Sequence, residues 1–211
     1  RLLSGPGPRA VVSADLNGDA AADLVVAHFG GGTVGVHLSG PGGMPAPTAA
    51  RYEVGPSPGA VAVADLDGDG HPEIIAALRQ NGAIAVLRNN GDGSFATARL
   101  SPAGKDPSDL VAADLNSDGR VDLVVADYDG AVGVLLGKGD GTFEPVSRTT
   151  ADLGTSAVRV AELTGDKLLD VAVVSDRSPN LNILQGDGQG RLSLRTTVSL
   201  GTGGLRAQSL A

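Results

Sequence analysis

The chain has 211 residues, with no cysteine, two tyrosines, three phenylalanines and a formal charge of −8. The lack of cysteine excludes disulfides, thiolate metal sites and cysteine nucleophiles, and the negative charge argues against general nucleic-acid binding. No apolar stretch approaches the ~20 residues that a bilayer-spanning helix needs, and 32 glycines suit many short strands joined by tight turns.

In chain order, Leu2 and Leu3 read as the tail of an outer strand, and an acidic loop, DLNGDAAAD, follows at residues 15–23. The next stretch shows a whole unit: AVAVA at 60–64, the loop DLDGDGHPE at 65–73, IIAAL at 74–78, a QNG turn at 80–82, AIAVL at 83–87, an NNGDG turn at 89–93 and SFATARL at 94–100. These are four strand-like runs, each ended by Gly, Asn or Asp clusters that supply positive-φ positions. The third unit carries DLNSDGRVD at 114–122, then apolar runs at 123–126 and 131–136 and a GDGTF turn at 139–143. The fourth carries ELTGDKLLD at 162–170 and runs at 171–174 and 181–184, with a GDG turn at 186–188. The first residues of the four loops are 50, 49 and 48 positions apart, so one structural unit is used repeatedly.

Four antiparallel strands per ~50 residues predict an all-β chain, a β-propeller of four-stranded blades. The repeats fall at roughly 9–58, 59–107, 108–155 and 156–204, with partial blade strands at 1–8 and 205–211. The chain starts at Arg1, which reads as a mature or excised piece, a slice of a longer propeller or one that closes with another segment or chain. Phe95 and Phe143 occupy equivalent places after their turns and are expected between neighbouring blades, while Tyr52 and Tyr128 are the candidates for partial exposure.

The loops have the residue types of a calcium site, in which six to eight oxygen ligands are gathered on a tight turn. Positions 1, 3 and 5 supply side chains, position 7 a backbone carbonyl and position 9 a closing carboxylate. The candidate ligands are Asp15, Asn17, Asp19, Ala21 and Asp23; Asp65, Asp67, Asp69, His71 and Glu73; Asp114, Asn116, Asp118, Arg120 and Asp122; and Glu162, Thr164, Asp166, Leu168 and Asp170. The third copy fits best, with Gly119 at the sharp turn of position 6. The first has Ala20 there, the second has Glu73 and Pro72 at its exit, and the fourth departs furthest, with Glu162, Thr164 and Lys167. The loops hold 13 of the 24 acidic residues, and three bound calcium ions would move the charge from −8 to about −2. An EF-hand is excluded because Ala76 stands at its twelfth position and the flanks read as strands.

The pattern A-D-L-N/D-G-D-G-x-x-D-L-V-V-A, followed by G-D-G-T-F, resembles the FG-GAP/VCBS repeat found in integrin alpha chains and in many bacterial secreted or surface proteins. The resemblance implies blades whose calcium loops join first and second strands on one face of a ring. It matches the side-chain ligands above and leaves the fourth loop the most divergent. It also implies an extracellular, cell-surface or periplasmic location and roles in adhesion, sugar binding or support of a secreted enzyme.

No nucleophile motif is present, His28, His37 and His71 share no metal or base spacing, and the Gly-rich stretch at 137–141 lies in a hairpin turn. The chain is therefore expected to be non-catalytic. The leading reading is a calcium-stabilised scaffold for a protein partner or surface assembly. A lectin is the second reading, with Tyr52 or Tyr128 as the sugar platform, and an accessory domain of an enzyme the third.

Overall fold

The computed structural model describes residues 5–40 and 42–201. It contains sixteen strands in four antiparallel four-stranded sheets, each built from consecutive strands. Sheet 1 is β1 (Pro8–Ala14), β2 (Asp23–His28), β3 (Thr33–His37) and β4 (Ala50–Glu53). Sheet 2 is β5 (Pro58–Ala64), β6 (Glu73–Leu78), β7 (Ala83–Leu87) and β8 (Arg99–Pro102). Sheet 3 is β9 (Pro107–Ala113), β10 (Asp122–Asp127), β11 (Ala131–Leu135) and β12 (Ser147–Thr150). Sheet 4 is β13 (Thr155–Ala161), β14 (Asp170–Ser175), β15 (Asn180–Gly186) and β16 (Leu192–Ser199). The expected partial strand at 205–211 and the Leu2–Leu3 tail lie outside the described residues.

The first strand of every sheet carries a register shift near its start, between Pro8 and Ala10, Pro58 and Ala60, Pro107 and Asp109, and Thr155 and Ala157. A bulge of this kind sharpens local twist and bends the strand. Residues of all four first strands, among them Ala10, Gly59, Ala60, Leu110 and Ala157, line one cavity of about 560 Å³. Small side chains on these strands let their backbones crowd together there.

The sheets stack in one repeated manner. The third and fifth residues of a second strand face the second and fourth residues of the next sheet's second strand. Val25 of sheet 1 joins Ile74 and Ala76 of sheet 2 in one core; Ile75 and Ala77 join Leu123 and Val125 in the next; Val124 and Ala126 join Val171 and Val173 in the third. Among the described residues no core joins sheet 4 to sheet 1. Phe95 lies in the first core and Phe143 packs against the second, both between sheets as expected. Tyr52 is half-buried and meets Phe95 edge-on, with ring centroids 5.4 Å apart.

Candidate metal centre

Each acidic loop joins the first strand of a sheet to the second, and its ninth residue opens that second strand. The four loops share one backbone path. Their fourth residues, Gly18, Gly68, Ser117 and Gly165, and their sixth, Ala20, Gly70, Gly119 and Lys167, all have positive φ. The sharp turn expected at Gly119 is thus made equally by Ala20 (φ 63°) and Lys167 (φ 69°), which lack glycine's freedom there.

That path aims backbone N–H groups at the carboxylates. Asp15 accepts from Gly18 and Ala20, each at 2.8 Å, Asp65 from Gly68 at 2.8 Å and Gly70 at 3.0 Å, and Asp114 from Asp118 at 3.1 Å and Gly119 at 2.9 Å. Glu162 accepts from Gly165. The fifth carboxylate accepts the N–H of the seventh residue in all four loops: Asp19 from Ala21, Asp69 from His71, Asp118 from Arg120 and Asp166 from Leu168.

The ninth residues have a second role that the spacing did not reveal. Asp23, Glu73, Asp122 and Asp170 are buried, and each uses both carboxylate oxygens on backbone N–H groups. One donor is the loop's own second residue: Leu16, Leu66, Leu115 or Leu163, each at 2.9 Å. The other lies at the end of the third strand or two residues past it: Ser39, Asn89, Gly137 or Gly186. Burial pushes the carboxyls of Glu73 and Asp122 above their ordinary pKa, against these hydrogen bonds.

Three carboxylates, each offering one oxygen, come within 4.8 Å of one another in loop 2 (Asp65, Asp67, Glu73) and in loop 4 (Glu162, Asp166, Asp170). Among the described residues no other three carboxylates or histidines converge in this way. This ordering differs from the one the motif suggests, which favours loop 3 and places loop 4 last. In loops 1 and 3 the third position is an amide. The Asn17 amide donates to Asp19 at 3.1 Å and that of Asn116 to Asp118 at 3.0 Å, filling the place of the third carboxylate. In loop 4 the longer Glu162 closes the group, and Thr164 Oγ1 lies buried beside Asp166.

Cationic and amide side chains that the motif does not contain also reach the loops. Arg88 places Nη2 3.0 Å from Asp67 Oδ2, Arg120 places Nη2 2.7 Å from Asp118 Oδ2, and Gln185 donates to Asp166 at 2.8 Å. The Arg120 side chain leads the causes that lower the Asp118 pKa to about 2. Asn89 donates to Leu16 O and Pro72 O, tying loop 1 to loop 2. An all-oxygen set of three carboxylates, joined in loop 4 by the Thr164 hydroxyl, is the donor chemistry of a hard divalent cation.

At the opposite end of the sheets, Arg79 from sheet 2 and Arg177 from sheet 4 each place a guanidinium 4.9 Å from the centroid of the Tyr128 ring. The Tyr128 hydroxyl donates to Asp176 at 3.0 Å, and Arg79 pairs with Asp106 at 2.6 Å. Tyr128 therefore clamps three sheets together.

The sequence profile of the FG-GAP-like repeat matches residues 15–76, 65–125 and 114–173, each match running from one acidic loop through the next. The chain belongs to the FG-GAP-like repeat family. A search of the curated proteins gives no match. Among solved structures, this FG-GAP-like chain is similar to an Agrocybe aegerita lectin described as recognising non-reducing terminal N-acetylglucosamine. The two are 25% identical, with a TM-score of 0.61 over 91% of this chain and 53% of the lectin. It is similar to BBS1N, solved in complex with ARL6DN, at 17% identity and a TM-score of 0.64, over 94% of this chain and 58% of that one. It also resembles a functionally unknown protein from Desulfotomaculum acetoxidans at 15% identity and a TM-score of 0.65, over 89% of this chain and 61% of that one. The FG-GAP-like chain thus spans 53–61% of the length of these solved structures. Among the described residues no helix is long and apolar enough to cross a membrane.

Proposed function

We propose that this FG-GAP-like chain is a calcium-stabilised, non-catalytic propeller scaffold that presents its surface to a protein partner outside the cytoplasm. The observation that carries the reading is the convergence of three carboxylate oxygens in loops 2 and 4, each set within 4.8 Å. Packing three carboxylates together without a cation costs free energy through like-charge repulsion, and a divalent ion removes that cost. Asp65, Asp67 and Glu73 hold one ion and Glu162, Thr164, Asp166 and Asp170 a second, with the carbonyls of His71 and Leu168 completing the two sets. Loops 1 and 3 take further ions once the Asn17 and Asn116 amides turn their oxygens inward and Arg120 leaves Asp118. Extracellular modules bind calcium at about 10⁻⁴–10⁻³ M, which suits the outside of a cell. The four repeats, 9–58, 59–107, 108–155 and 156–204, are on this reading an arc of a propeller that closes with a further segment or chain, supported by the cavity that all four first strands line.

Thermal melts in calcium and in EDTA test the proposal. An ion at ten times its Kd adds about 1.4 kcal/mol at each site, or about 3–6 °C in Tm for a domain of this size. Equal melting temperatures in the two buffers would overturn it. Glycan binding is the second reading, motivated by the similarity to the lectin. Against it, the Tyr128 ring is engaged by two guanidinium groups and Tyr52 packs on Phe95, so both tyrosines are already committed. Saturable binding of N-acetylglucosamine by the intact chain would restore it.

A further inference from the structure

The contacts between consecutive sheets are alike except at one place. The residue that follows the third strand is Leu38 in sheet 1, Arg88 in sheet 2 and Leu136 in sheet 3. Leu38 packs over Gly93 of sheet 2 and Leu136 over Gly190 of sheet 4, each so closely that a Cβ on the glycine would collide with the leucine. Gly141, in the turn between β11 and β12, is the equivalent glycine of sheet 3, and a Cβ there would meet nothing within 4 Å. Between sheets 2 and 3 a cavity of about 70 Å³ stands where the other contacts have leucine, lined among others by Asp67, Arg88, Arg99, Asp140 and Gly141.

Arg88 lines this space without filling it. Its guanidinium is turned to loop 2, with Nη2 3.0 Å from Asp67 Oδ2 and 3.5 Å from Asp69 Oδ2. Asp67 is one of the three converging carboxylates of that loop. A guanidinium so placed is a counter-ion for the cluster, and a divalent cation held by Asp65, Asp67 and Glu73 has to displace it, because two cations cannot sit on one carboxylate without repelling each other. On the far side of the cavity is Asp140. Its Oδ1 accepts from the N–H and the hydroxyl of Thr142, and among the described residues its Oδ2 accepts no hydrogen bond. Arg88 and Asp140 line the same small cavity, so a second carboxylate is within reach of the long, flexible arginine.

We infer that Arg88 is a two-position latch that sets the cation affinity of loop 2. In the cation-free chain it neutralises Asp67 and Asp69. When a divalent cation takes Asp67, Arg88 turns into the cavity over Gly141 and pairs with Asp140, so that filling loop 2 ties sheet 2 to sheet 3. The two events are linked, and the affinity of loop 2 is lower than its three carboxylates alone would give. The inference rests on the calcium reading of loop 2, and the residues it adds, Arg88 and Asp140, lie outside the loop.

Calorimetric titration of calcium into the metal-stripped full chain tests it, with Asp67→Asn identifying the loop 2 step as the one it abolishes. Arg88→Leu, which places at 88 the residue found at 38 and 136, should tighten that step about threefold, with an unchanged circular dichroism spectrum because the Arg88 side chain is 64% exposed. Asp140→Asn should weaken the same step about twofold in the parent chain and leave it unchanged in the Arg88→Leu chain, since the two residues act as a pair. Arg99→Gln, which removes a charge lining the same cavity, should have a smaller effect than Arg88→Leu. A loop 2 affinity unaltered by Arg88→Leu, or an Asp140→Asn effect equal in both backgrounds, would overturn the latch and leave the calcium reading standing. No calcium binding by either the parent or the Arg88→Leu chain would overturn the calcium reading itself and the latch with it.

Discussion

Asp122 Oδ1 accepts the N–H of Gly137 at 2.7 Å while its Oδ2 accepts the N–H of Leu115 at 2.9 Å. One fully buried carboxylate therefore joins the start of an acidic loop to the turn that follows the third strand, and the same link recurs in every sheet. Replacing Asp122 by Ala leaves two buried N–H groups without acceptors, at about 1–3 kcal/mol each. Asp122→Ala should thus destabilise the chain by about 2–6 kcal/mol in denaturant titration, and should do so in EDTA as well as in calcium. A variant with full stability in EDTA would reduce Asp122 to a metal ligand alone.

The left-handed sixth positions give a prediction of opposite sign. Ala20 and Lys167 have φ of 63° and 69° where the other loops have Gly70 and Gly119. Ala20→Gly and Lys167→Gly should each stabilise by about 0.5–1 kcal/mol, because relief of the left-handed strain exceeds the entropy glycine adds to the unfolded chain. Midpoint shifts in urea at constant slope check this, and lower midpoints would show that the strain is absent.

His28 should make stability depend on pH. It is buried, its Nε2 accepts the N–H of Gly5 at 2.9 Å and its Nδ1 lies 3.0 Å from Thr33 Oγ1, so its neutral form is the one that fits. Burial first, then Arg51 and His37, hold its pKa below the ordinary value. The unfolded chain consequently takes up the proton first, and stability falls as pH drops below about 6.5. Melting temperatures measured between pH 7.5 and 5.5 should decline in the parent chain and flatten in His28→Gln. An identical decline in both would assign the effect to other groups.

Much of this architecture is visible in the sequence. The spacing of the acidic loops fixes four units, and the apolar runs mark the inner three strands of a sheet within a residue or two; the outer strand of sheet 2, expected over 94–100, instead spans Arg99–Pro102, because Phe95 turns into the core first. Phe95 and Phe143 are recognisable as inter-sheet residues because their equivalent places imply equivalent packing. The order of the candidate centres is not legible in the motif. The motif counts oxygen-bearing residues, whereas convergence depends on side-chain reach and partners: the Asn17 and Asn116 amides bind the neighbouring carboxylate in loops 1 and 3, while in loop 4 the longer Glu162 brings three carboxylates together around Thr164. Arg88 and Gln185 escape notice because they come from the end of the third strand, outside the loop. The ninth carboxylates look like ligands alone, since nothing in the spacing shows that burial has already assigned both oxygens to backbone donors.

Tyr128 links three sheets through its ring and hydroxyl. Tyr128→Phe should cost about 1 kcal/mol for the lost hydrogen bond, and Tyr128→Leu about 2–3 kcal/mol once both guanidinium contacts go as well. Neutral substitution in both cases, read by thermal melts, would show that the clamp contributes nothing to cohesion.

The most direct measurement is a calorimetric titration of calcium into the metal-stripped full chain, repeated with Asp67→Asn and Asp166→Asn. The expected result is saturable binding of at least two equivalents, with one lost in each variant and both lost in the double variant. No heat of binding in the parent chain, together with identical melting in calcium and EDTA, would contradict the calcium-stabilised scaffold and leave the loops as hydrogen-bonded acidic turns.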